Sequence, residues 1–217
     1  MKAIIYGVGD FAEHVAYVLE NDSKYEITGF CVDQEFIHSK NEFYGLPLVA
    51  FETVEDVYNP KEYEMFIAVG DNQIRTQKFH QAIEKGYNLL SYISSKSITW
   101  DNLAYGKNVF VTEPSTILPF VTIGDNCILI GSWVGHHSKI GRNNLLSCCV
   151  LAGSVTIGDN CILGLNSTVK QHVTIGNNNI IGMGSIIQRD TKDNEIYRVK
   201  RVTEKSNIPS TSLIKPI

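Results

Sequence analysis

Residues 134–163 read VGHHSKIGRNNLLSCCVLAGSVTIGDNCIL, with aliphatic side chains at Val134, Ile140, Leu146, Leu151, Ile157 and Leu163. The spacing is six, with one step of five. Outward from this stretch the ladder runs back through Leu129, Ile123, Ile117, Val111 and Tyr105, and forward through Val169, Ile175, Ile181 and Ile187. A helix repeats every 3.6 residues and a strand every two. A period of six therefore reads as one short strand plus a corner. Three such units make a triangular coil with the ladder side chain pointing inward. The fifteen ladder positions predict five coils, each hydrogen-bonded to the next about 4.8 Å along the axis. Buried aliphatic side chains, worth about 1.5–3 kcal/mol each, would fill the interior. Repeats this regular argue against ordinary meandering strands.

Details of the ladder support this reading. Glycine follows it at Gly106, Gly124, Gly141, Gly158, Gly164, Gly176 and Gly182, and narrow residues sit four places after it at Cys127, Asn144, Cys161 and Asn179. Both steps of five, Leu129 to Val134 and Leu146 to Leu151, fall at the same corner, so stacked coils share one tighter turn. Cys127 and Cys161 occupy one inward slot two coils apart, too far for a disulfide. They read as core fillers. Cys148 and Cys149 fall at a corner, and no CxxC pair points to a metal.

Ahead of the coils, Lys2–Val8 reads as a buried strand that runs into Gly7-Val8-Gly9-Asp10-Phe11-Ala12. A helix follows with Ala12, Val15, Ala16, Val18 and Leu19 on its apolar face. A second strand, 26–32, ends at Asp33. This is a βαβ start with an acidic residue past the glycines. It fits a phosphate or sugar bound at a helix N-terminus, an NAD site, or a plain tight turn. The short region, residues 1–95, and the charge of Asp10 count against NAD. Residues 44–48, YGLPL, read as a turn, 54–60 as a short helix, and 64–70 as a third strand. Asp71 then caps a helix that stops near Gly86, with Arg75 on its solvated face. Residues 88–93 read as a fourth strand. Ligands of such sheets sit at the carboxyl ends of the strands, here Gly7–Phe11, Asp33 and Gly70.

The 217 residues carry a net charge of −4 and no basic cluster, which argues against nucleic acid as partner. No apolar run is long enough to span a membrane. The start, MKAIIYGVGDF, is not a signal peptide, so a cytoplasmic location is expected. His14, His38 and His80 read as surface residues. The expected organisation is an α/β domain over 1–95 with a small parallel, Rossmann-like sheet, an all-β parallel coil domain over 96–190, and a polar, basic tail over 191–217.

The segments IIYGVGDFAEHVAYVL (4–19), FIAVGDNQIR (66–75) and GHHSKIGRNN (135–144), taken with the two-part order, resemble the NeuD/PglD-type sugar acyltransferases. The resemblance covers nearly the whole chain. It implies a homotrimer of left-handed parallel β-helices that transfers an acetyl group from acetyl-CoA to a sugar, often a nucleotide-linked amino sugar in surface-glycan synthesis. It puts sugar-nucleotide contacts at Gly9, Asp10, Phe11, Asp33 and Gly70, the catalytic histidine at His136, and acetyl-CoA contacts near Leu145, Leu165 and Met183. The chain departs from the family at three points. His137 stands where the family has a carboxylate, Leu145 where it has a second histidine, and Tyr197-Arg198-Val199-Lys200 where it ends Gly-x-Pro-Ala.

The register then predicts the chemistry. His136 lies two places after Val134 and should face outward. One coil on, the same position is Gly153, and the next is Gln171. A base and a main-chain N–H stacked this way suit amide formation from a thioester, with the N–H facing the oxyanion. His137 would orient His136, and Gly153 would also touch the donor. Leu165 and Met183 share a column on another face, along which a pantetheine arm can run. O-acetylation of a sugar, and a nucleotide-binding scaffold without catalysis, are the competing readings.

Overall fold

The computed structural model describes residues 1–37 and 41–200; His38 and the tail beyond Lys200 lie outside the described residues. The chain forms an α/β layer seated on one wall of a triangular β-helix.

The α/β part is built from β1 (Lys2–Tyr6), α1 (Asp10–Asp22), β2 (Glu26–Val32), β3 (Glu42–Phe43), β4 (Leu46–Ala50), α2 (Val54–Val57), β5 (Tyr63–Ile67), α3 (Asn72–Glu84) and β6 (Asn88–Leu89). The sheet order is β3-β4-β2-β1-β5-β6, parallel except for the β3–β4 hairpin. The strand β4 corrects the expected turn at 44–48. Only Tyr44 and Gly45, both at positive φ, turn the chain; Leu46 and Pro47 then pair with β3, and Leu48–Ala50 with β2. Proline is tolerated there because it precedes Leu48, the first residue of β4 that pairs with β2. The expected fourth strand is split in two. Asn88–Leu89 stays with β5, while Tyr92–Ile93 pairs with Phe110–Val111 in the coils.

Gly7 illustrates why the first turn needs glycine. Its φ is +132°, and a Cβ there would lie 2.7 Å from the Ala68 carbonyl oxygen. The apolar face of α1, Ala12 to Leu19, packs with Phe30 and Phe66 in a cluster that also takes in Phe110 and Ile128 of the coils. Phe110 meets Phe11, Phe66 and Tyr92 at ring-centroid distances of 5.3–5.5 Å. The two parts therefore share this cluster, while the coil interior forms a cluster of its own.

The coils stack in three parallel walls. Wall one pairs Ile117, Val134, Leu151, Val169 and Ile187 in register. Wall two pairs Tyr105, Ile123, Ile140, Ile157 and Ile175. Wall three pairs Ile93, Val111, Leu129, Leu146, Leu163, Ile181 and Tyr197. Every ladder residue from Val111 to Ile187 is buried. Tyr105 corrects the expectation: it is 51% exposed, because the first coil has no coil above it to enclose the ring. Together the three walls form a left-handed parallel β-helix. Cys127, Asn144, Cys161 and Asn179 are fully buried in one column.

The corners are made by residues in the left-handed region. Most lie three places after the ladder residue. At the two shortened turns, Gly131 and Cys148 lie two places after it. Between walls two and three the corner residues are Asn108, Asn126, Asn143, Asn160, Asn178 and Asn194. Asparagine tolerates this conformation, and here each side chain donates to the next at 2.8–3.1 Å.

Candidate active site

The corner between walls one and two breaks the asparagine pattern. Its left-handed residues are Phe120, His137, Ser154 and His172. His136 precedes His137 and is exposed, as its register requires. Its ring lies against Gly153, where an added Cβ would fall 2.8 Å from ring atoms. The Gly153 N–H makes no backbone hydrogen bond among the described residues. His136 Nδ1 lies 3.0 Å from His137 Nδ1, so one proton joins the two rings. The His137 ring packs on Phe120, centroids 4.6 Å apart. When His136 donates from Nδ1, His137 accepts, and the Nε2 lone pair of His136 is left as a base. The neighbour of His136 Nδ1 is thus an imidazole nitrogen rather than a carboxylate oxygen.

Walls one and three are separated by a corner where Leu165 and Met183 are 47% and 69% exposed. Leu145 lies elsewhere, on wall three, partly buried against the core shared with α1. Wall one between these corners carries Ile98, Trp133, Val150 and Ile186, all exposed, with Phe120 at its edge. Wall three is covered by the α/β layer. The His136 corner is the vertex of the triangle opposite that wall.

The expected nucleotide-sugar residues gather at the carboxyl ends of β1, β2 and β5. Gly9 is the N-cap residue of α1, with no side-chain cap, and a Cβ at Gly9 or Gly70 would meet nothing within 4 Å. Asp10 is exposed and Phe11 half-buried. Asp33 is already engaged. Its Oδ1 accepts from Lys78 Nζ at 2.7 Å and Tyr6 Oη at 3.0 Å. The Lys78 ammonium lies over the rings of Tyr6 and Phe51. Burial, and then the Asp33 charge, push the Tyr6 hydroxyl well above its ordinary range. Asp33 and Lys78 both line a cleft of about 480 Å³. A larger cleft, about 790 Å³, runs between the first turns of α3 and the lower coils, lined by Asn72, Gln73, Asn160, Ile162, Asn178 and Ile180.

Arg75 corrects the sequence expectation outright. It is fully buried, and its guanidinium donates to carbonyl oxygens of both parts of the chain. Helical spacing alone assigned it to solvent; nothing in the sequence says which face of α3 meets the coils. Burial pulls its pKa down to about 10, which leaves it charged at neutral pH. Among the described residues, no group of His, Cys, Asp and Glu is arranged to hold a metal ion, and no helix is long and apolar enough to cross a membrane.

Known proteins bear on this arrangement. Residues 2–82 match the model of the PglD N-terminal domain, and residues 154–189 match the hexapeptide repeat of succinyl-transferase. No curated protein matches the sequence. A histidine variant of perosamine N-acetyltransferase from Caulobacter crescentus, bound to CoA and GDP-perosamine, superposes with a TM-score of 0.79 at 25% identity, over 90% of this chain and 92% of its own. The acetyltransferase domain of PglB from Neisseria gonorrhoeae, in complex with acetyl coenzyme A, superposes at 0.80 with 21% identity, over 90% and 94%. Fold and repeat define a hexapeptide-repeat acyltransferase with an α/β domain in front. Within that class, the front of the chain, residues 2–82, is similar to the N-terminal domain of PglD, and the whole chain is similar in fold to perosamine N-acetyltransferase.

Proposed function

We propose that the chain takes an acetyl group from acetyl-CoA and places it on the amine of a nucleotide-linked amino sugar for surface-glycan synthesis, with His136 as general base. One observation carries this reading: His136 faces outward with its ring against Gly153, whose N–H makes no backbone bond among the described residues. The sugar nucleotide lies along Gly9, Asp10, Phe11, Asp33 and Gly70. The free amine attacks the thioester carbonyl. His136 Nε2 takes the amine proton, and the Gly153 N–H donates to the oxyanion. Collapse expels the CoA thiolate, which recovers that proton from the imidazolium, leaving an amide and CoA thiol. Because Asp33 Oδ1 is filled by Lys78 and Tyr6, its other oxygen is the one left for the nucleotide.

We infer that the working unit is a homotrimer. The nucleotide-sugar loops sit above wall three, and His136 sits at the opposite vertex of the same prism. A second copy must bring its His136 to the first copy's acceptor. The exposed apolar wall between the His136 corner and the Leu165–Met183 corner supports that contact, with CoA passing along Leu165 and Met183 of one copy. Leu145, packed under the α/β layer, belongs to the floor of the site rather than to this column.

The test is CoA thiol release with acetyl-CoA and a panel of UDP-, dTDP- and GDP-linked amino sugars. Release that requires an amino acceptor supports the reading. Turnover of hydroxyl acceptors only, or of none, overturns it.

A further inference from the structure

The Arg75 side chain has five N–H donors, and each ends on a carbonyl oxygen. Nη1 donates to Val69 O and Gly70 O, both at 3.0 Å. Nε donates to Asn126 O at 3.3 Å, and Nη2 to Asn144 O at 3.4 Å and Asn72 Oδ1 at 2.7 Å. Two acceptors belong to the loop after β5, and two to successive coils. Asn72 extends the same stitch, its Nδ2 donating to Cys161 O one coil further down. Above it, the buried Asn108 side chain accepts from Ile67 N–H and donates back to Ile67 O. The segment 67–72 is thereby tied to four consecutive coils through side chains.

Burying a charge without a counter-ion is costly, and an apolar residue of the same length would fill this space without that cost. What it would not do is satisfy the carbonyls of an irregular loop that has no strand partner. Those carbonyls belong to the loop that carries Gly70. We propose that Arg75 is a positioning residue: it fixes the loop Val69–Asp71, and the acceptor sugar with it, at one height on the coil stack. The proposal rests on the acceptor reading above.

The experiment compares Arg75→Met and Asn72→Ala with the wild-type full chain by amide hydrogen exchange and steady-state kinetics. Exchange in residues 66–72 rises about tenfold or more, while peptides from 12–32 and 150–187 keep their wild-type rates. The kcat with a sugar nucleotide falls about tenfold or more, because a small misplacement of the reacting group is enough. The KM for acetyl-CoA stays unchanged. If Arg75→Met fails to fold, Asn72→Ala, which removes one of the Arg75 acceptors together with the bond to Cys161 O, carries the same pattern at smaller amplitude. Unchanged exchange at 66–72, exchange raised equally along the chain, or a KM for acetyl-CoA rising in step with the loss of kcat overturns the proposal. If the wild type acetylates no sugar nucleotide, the functional reading fails, and the exchange data still decide whether Arg75 holds the loop.

Discussion

Two corners of the same prism have the same left-handed turn and opposite contents. Between walls two and three, asparagine recurs on every coil, and the side chains form one hydrogen-bonded column partly sealed beneath the α/β layer. Between walls one and two, the same backbone position holds Phe120, His137 and His172, all exposed, and Ser154, half-buried, beside His136. The first column spends its polar groups on the fold. The second leaves a ring nitrogen and a main-chain N–H open. The candidate site thus lies on the corner that departs from the asparagine pattern.

If that contrast is right, disturbing the open corner should remove activity and spare the fold, and disturbing the asparagine column should do the reverse. The largest effect is expected from His136→Asn, which lowers turnover about 10²-fold or more with thermal unfolding unchanged. Turnover within a few fold of wild type would break the contrast. Next, Gly153→Ala sets a methyl against the His136 ring, 2.8 Å away before relaxation, and lowers kcat about tenfold through a displaced base. In the other corner, Asn143→Gly keeps the turn but deletes the bonds to Asn126 and Asn160. Denaturant unfolding should show a loss of about 1–2 kcal/mol, with kcat at 25 °C unchanged.

The smallest effect concerns the seam between the two parts. Asp22 accepts from Tyr92 Oη, Ser94 Oγ and the Ser95 N–H and hydroxyl. Ser95 first, and then Tyr92, hold its carboxyl at about 2, below the ordinary 3.8. A depressed carboxylate adds stability above pH 3.8 that is lost as pH falls toward 2. Asp22→Asn should therefore unfold earlier than wild type at pH 7, and the gap should close as pH falls through that window. A gap constant with pH would detach Asp22 from the seam.

Much of the coil domain was legible in the sequence because its core is written in one-dimensional order. Each ladder residue meets the one a coil away, so spacing alone predicts contact. The shortened corners at Gly131 and Cys148 were readable for the same reason. The α/β layer was less legible. Pro47 disguised β4 as a turn, although Leu46, Leu48 and Val49 carried the strand. Arg75 was misread because burial of a polar helix face depends on what docks against it, and that contact spans 51 and 69 positions of chain to Asn126 and Asn144. At the site, the outward place of His136 and its neighbour Gly153 followed from register. The pairing of Asp33 with Lys78, 45 positions away, did not.

The central claim is that one copy's His136 meets the acceptor held by another. A crystal structure with CoA and an amino-sugar nucleotide tests it most directly. The account predicts the sugar amine within about 2.6–3.2 Å of His136 Nε2, the CoA sulfur beside Gly153, and the nucleotide on the α/β layer of a neighbouring copy. A CoA thiol bound far from His136, or that ring turned into the coil interior, would contradict it.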